Sequence, residues 1–141
     1  MGEGFEKVVE ELERDLVGGI SPTVVDHALN PRNVGSMEDA DGFAQFTGPC
    51  GDTMEIWIKV RDGEIVRASF WTDGCGTTVA SGSMVTELVK GKMVLDAMEI
   101  TKEDVLSALG GLPEESEHCA LLAATTLKLA IADYLRRKGS L

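Results

Sequence analysis

The chain has 141 residues and a net charge of −11, enough for one domain that needs no disulfide staples; that acidity excludes nucleic acid and anionic membranes as partners, since both call for a basic surface. At 43% hydrophobic and 26% charged residues the composition is that of a soluble globular protein. No run reaches the about 18 apolar residues of a membrane span, and the acidic, helix-patterned start is not an export signal, so the expected compartment is the cytoplasm.

In chain order, Phe5, Val8, Val9, Leu12 and Leu16 recur at helical spacing and predict an amphipathic helix over residues 4–17, ended by Gly18-Gly19. Ser21-Pro22 is a helix start, and a short helix over 22–29 stops before Pro31. Residues 42–47 form a short strand. Residues 53–61 and 64–72 alternate apolar and polar, with Met54, Ile56, Ile58 and Val60 on one side of the first and Val66, Ala68 and Phe70 on one side of the second. Asp62-Gly63 between them signals a hairpin. A two-residue turn would set Cys50 opposite Cys75 but mix the two faces. A three-residue turn ending on Gly63 pairs Ile56 with Ala68 and Met54 with Phe70, keeps one face apolar, and is preferred; it sets Cys50 opposite Gly74. Trp57 and Trp71 then share the other face, where cover from the fold, such as the N-terminal helix, is expected before cover by a partner.

Helices follow over 76–90, near 93–98, from Thr101 with a capping box to Asp104, and from about Ser116 to Arg137. The last buries a stripe of Ala120, Ala123, Ala124, Leu127, Ala130, Ile131 and Tyr134. Strands early and helices late make an α+β domain. Residues 1–19 read as a helical extension and 20–138 as the domain proper.

The three cysteines are spaced 25 and 44 residues apart, an odd number with no export signal, so a disulfide framework is not expected. They sit in unusual places for core residues. Cys50 lies in the turn Gly48-Pro49-Cys50-Gly51, with Asp52 two residues on. Cys75 follows a strand and opens a helix. Cys119 lies in the first turn of the last helix, beside His118. Helix N-termini stabilise thiolates, so Cys75 and Cys119 stand where deprotonation is easiest. Three thiolates with Asp52 or His118 make a four-ligand set suited to zinc, copper(I) or an iron–sulfur cluster, and spacing alone does not choose among them. A carboxylate is a weaker partner in a soft site and would ease release. The segment Gly74-Cys75-Gly76-Thr77-Thr78-Val79 also follows a strand and opens a helix, as a dinucleotide-binding turn does, but the third glycine is missing and no βαβ alternation surrounds it. His27 reads as a helix-surface residue or cap. A redox protein using Cys50 and Cys75 is the weakest alternative, for want of a Cys-x-x-Cys motif.

Four segments, "HALNPRNVGSM", "GPCGDTMEIWIKV", "ASFWTDGCGTTVASGSMVTELVKGK" and "EHCALLAATTLKLAIADY", resemble in order and spacing the IscU-type iron–sulfur cluster assembly scaffolds, related to the N-terminal domain of NifU. The resemblance covers about residues 22–135. It implies a small, three-stranded antiparallel sheet with helices packed on one face, and a scaffold rather than an enzyme. Cys50, Cys75 and Cys119 would bind the nascent cluster, typically [2Fe–2S], with Asp52 and His118 at the site and zinc as a possible surrogate. It implies a cysteine desulfurase as sulfur donor, apo-proteins as acceptors, and a monomer or weak homodimer. Where many bacterial relatives carry a Leu-Pro-Pro-Val-Lys segment read by a dedicated Hsp70 chaperone, this chain has Leu112-Pro113-Glu114-Glu115-Ser116, a reversal of local charge that counts against that partner. Zinc-binding sulfur acceptors of the SufU type carry an insertion between the second and third cysteines and lack the histidine; the short interval and His118 favour the scaffold.

Overall fold

A computed structural model describes Gly4 and residues 20–139. Apart from Gly4, the helix expected over 4–17 lies outside them. The elements run α1 (Pro22–Leu29), β1 (Gly42–Thr47), β2 (Thr53–Arg61), β3 (Glu64–Thr72), α2 (Gly76–Val89), α3 (Val94–Ala97), α4 (Lys102–Leu109), a 3₁₀ turn (Glu114–Ser116) and α5 (Glu117–Lys138). The expected start signals operate. The Ser21 hydroxyl accepts from the Val24 amide at 3.1 Å. Thr101 and Asp104 form a reciprocal capping box.

The three strands form one antiparallel sheet in the order β1-β2-β3. Its inner face buries Met54, Ile56, Ile58, Ile65, Ala68 and Phe70. Helix α5 packs across β1 and β2, and α2 across β3, giving the α+β layering of one sheet and one helical layer. The close approach depends on two glycines. A Cβ at Gly82 of α2 would fall 2.4 Å from the Phe70 ring, and one at Gly42 of β1 would fall 2.5 Å from the Ala130 carbonyl of α5.

The hairpin register corrects both expected pairings. The turn is the two-residue Asp62-Gly63, with both residues at positive φ (53° and 80°), pairing Arg61 with Glu64 and Val60 with Ile65. The register then slips by one, so that Lys59 faces Arg67, Ile58 faces Ala68 and Ile56 faces Phe70. Val66 is the extra residue of this bulge and is 36% exposed, and Ile65 takes the buried position expected of it. The tight turn and the apolar face, which compete in a regular ladder, are both kept by one bulge.

On the outer face Trp57 is half-buried beside Phe43, ring centroids 5.2 Å apart, and Trp71 stays 44% exposed, so the cover supplied by the described residues is partial. The free edge of β3 is occupied by the loop after α1: the Phe70 amide donates to the Asn33 carbonyl and the Gly35 amide to the Phe70 carbonyl, each at 2.9 Å.

His27 is not a surface residue. It is 8% exposed, with Nδ1 2.7 Å from the Ser83 hydroxyl of α2. Ser83 also accepts from the Arg32 amide at 2.9 Å, leaving its own proton for the imidazole, an arrangement that fits the neutral ring. Burial chiefly, and then the Arg32 charge, lower the His27 pKa below 6.5. The unfolded chain therefore takes up this proton first as pH falls. Stability is fully present above about pH 6.5 and declines below it, by at most about 1.4 kcal/mol per pH unit for one proton. Urea melts between pH 7 and 5 should show this decline, and His27→Gln should flatten it; a wild-type slope in the variant would assign the effect elsewhere.

Candidate metal centre

The site is built where strand ends and helix starts meet. Between β1 and β2, the Gly51 amide donates to the Gly48 carbonyl at 3.0 Å and the Gly48 amide to the Asp52 carbonyl at 2.9 Å. This three-residue tip, Pro49-Cys50-Gly51, needs a left-handed residue at its end, and Gly51 has φ 92°. Cys50 therefore stands exposed at the tip of a hairpin. Strand pairing with β3 stops short of it, so the expected alignment of Cys50 with Gly74 is not formed.

The start of β2 is tied to the end of β3. Asp73 accepts from the Thr53 amide at 2.8 Å. The Thr72 hydroxyl donates to the Thr53 carbonyl at 2.6 Å and accepts from the Gly74 amide at 3.1 Å. These bonds carry the chain straight into Cys75, the N-cap of α2. Gly74 is obligatory here, because a Cβ would lie 2.6 Å from the Thr78 side chain. Cys75 is exposed, whereas Cys119, in the first turn of α5, is 1% exposed.

Two threonines of α2 join these groups. The Thr77 hydroxyl lies 3.4 Å from the sulfurs of both Cys75 and Cys119. The Thr78 hydroxyl donates to the Asp52 carboxylate at 3.0 Å and lies 3.3 Å from the Cys119 sulfur. His118 Nε2 is 3.6 Å from that sulfur. Ligand atoms of Asp52, His118 and Cys119 all lie within 4.8 Å of one another, a mixed oxygen, nitrogen and sulfur set that a borderline-soft metal accepts. Cys75 is one hydroxyl away. Cys50 is outside this group but lines, with Asp52, His118, Phe46 and Leu122, a hollow of about 230 Å³. Cys75 lines a second apolar hollow of about 270 Å³ with Ile20, Val24, Thr77 and Ser116.

The two helix-start thiols differ, contrary to expectation. The Thr77 hydroxyl outweighs burial and, helped by the Thr77 and Thr78 amides, holds the Cys75 pKa below its ordinary value. Burial pushes Cys119 up, more than the Thr77 and Thr78 hydroxyls lower it. The helix terminus favours a thiolate only where burial does not outweigh it.

Residues 20–140 match the family model described as the NifU-like N terminal domain. The chain belongs to this family. Among the family's named proteins, the iron-sulfur cluster assembly scaffold protein IscU 1 of Archaeoglobus fulgidus is 49% identical over 122 residues, covering 86% of this chain and 80% of its own. The scaffold protein IscU of Escherichia coli K12 is 45% identical over 123 residues, covering 84% and 95%. The NifU-like N-terminal protein of Brucella abortus shares the fold at 20% identity, with a TM-score of 0.66 over 83% of this chain and 94% of that one.

Sequence reasoning missed Thr77 and Thr78. The available signal was their place in the first turn of a helix capped by a thiol, where donors converge on the cap. In the metal-free protein, iodoacetamide should label Cys75 at least about ten-fold faster than the buried Cys119, and Thr77→Val should slow Cys75 near neutral pH by raising its pKa. Equal labelling of Cys75 and Cys119, read by mass spectrometry, would contradict the environments described.

Proposed function

We propose that the protein is a scaffold on which an iron–sulfur cluster is assembled and from which it is passed to apo-proteins. One observation carries the reading: donors from the β1–β2 turn, the start of α2 and the start of α5 converge on one small region, with Asp52, His118 and Cys119 within 4.8 Å. The names of the family relatives support it. Residues 20–138 are the scaffold domain and 1–19 its extension. Cys50, Cys75 and Cys119 are the thiolate ligands, and Asp52 or His118 supplies the fourth donor.

The cluster is cargo, typically [2Fe–2S]. Sulfur arrives as persulfide from a cysteine desulfurase on an exposed thiol; an external reductant supplies two electrons for each sulfur converted to sulfide, and iron joins. Three unpaired thiols need a reducing compartment, which supports a cytoplasmic setting. Three sulfur ligands hold the cluster, and the harder fourth donor keeps the shell loose.

A second reading is a zinc-binding sulfur acceptor that works with a desulfurase. The mixed Asp52-His118-Cys119 set favours it, because such donors suit a single zinc ion. Anaerobic reconstitution with iron and sulfide distinguishes the two. Visible charge-transfer bands, with iron and sulfide in equal amounts, mean a cluster; a colourless protein that keeps one tightly held zinc means the acceptor. On the scaffold reading, Asp52→Ala lengthens cluster lifetime under argon several-fold, and loss at the wild-type rate would contradict the role given to Asp52.

A further inference from the structure

We infer that Thr78 is a positioning residue that holds Asp52 against the cysteine cluster; the inference rests on the ligand role proposed for Asp52. Thr78 is fully buried at 0% exposure, in the first turn of α2, with Gly74 packed closely enough against it that a Cβ there would fall 2.6 Å from its side chain. Asp52 is placed differently. It sits at the foot of a glycine-bearing hairpin tip, half-buried, and its side chain has no other hydrogen bond than the one from Thr78 among the described residues. One rigid hydroxyl therefore decides where a carboxylate on a turn points. The same hydroxyl lies 3.3 Å from the Cys119 sulfur, so fixing Asp52 to Thr78 also fixes the oxygen-to-sulfur spacing that a metal must span.

The Thr78 hydroxyl bonds Oδ2 of Asp52, and an outer hydrogen bond of this kind orients a ligating carboxylate and strengthens its hold on a metal. Thr77 does not share this role: its hydroxyl lies between the two sulfurs, 3.4 Å from each.

Thr78→Val keeps the shape and removes the hydroxyl. It should behave as a partial Asp52→Ala. Zinc affinity of the metal-free protein, measured by competition with a chromophoric chelator, should fall about ten-fold or more, the loss expected for a hydrogen bond to a charged group. Cluster lifetime should move in the same direction as in Asp52→Ala, by less. Thr78→Ser should restore both values. In an Asp52→Ala background, Thr78→Val should change neither readout, since it acts through the missing carboxylate. Thermal melts confirm that each variant is folded. If Asp52→Ala moves the readouts and Thr78→Val does not, this inference fails alone. If Thr78→Val has the same effect with and without Asp52, Thr78 acts by packing and the inference also fails. If neither variant changes anything, the role of Asp52 falls and the inference with it.

Discussion

Burial of the inner face of the sheet against α2 and α5 is the constraint on which the site depends. Phe70, Ile56 and Ile58 are within 1% of full burial, and each such side chain contributes about 1.5–3 kcal/mol when removed from water. A single hydrogen bond in the site contributes about 1 kcal/mol net. The core therefore places the helices, and the site follows. Gly42 and Gly82 let α5 and α2 approach the strands closely enough to fix their height along the sheet. With that height fixed, the starts of α2 and α5 come to the end of the sheet that carries the β1–β2 turn, and donors distant in sequence meet.

Electrostatics then sets the two helix-start thiols apart. Cys75 is solvent-exposed and biased towards thiolate by Thr77. Cys119 is buried and biased towards the neutral thiol. A metal that binds Cys119 displaces its proton and supplies the positive charge that burial had withheld. A neutral Cys119 thiol avoids the cost of a buried, uncompensated thiolate. The threonine hydroxyls suit both conditions, because a hydroxyl accepts from a thiol and donates to a thiolate.

Much of this was legible in the sequence because local chemistry and global packing agree. Helix α1 has the bounds expected from Ser21-Pro22 and Pro31, and the capping box of α4 forms as written. The sheet and its apolar face followed from alternation. The hairpin register did not, since a bulge at Val66 leaves no mark in a period-two pattern. His27 was misread because a lone polar residue on a short helix does not disclose the Ser83 hydroxyl 56 positions away that satisfies it. Asp52, His118 and Cys119 do stand together, but the reason for their convergence was not legible. Strand register was expected to bring Cys50 to Cys75; instead the Thr77 and Thr78 side chains link Cys75, Cys119 and Asp52, and a turn keeps Cys50 at the rim. Such contacts depend on tertiary placement, which spacing cannot encode.

The central claim is that three thiolates and one harder donor from this chain form a single cluster shell. Mössbauer spectroscopy of protein reconstituted with enriched iron tests it most directly. The account predicts two inequivalent ferric sites in equal amounts, one with only sulfur ligands and one bearing an oxygen or nitrogen. A single symmetrical doublet from all-sulfur iron would contradict it.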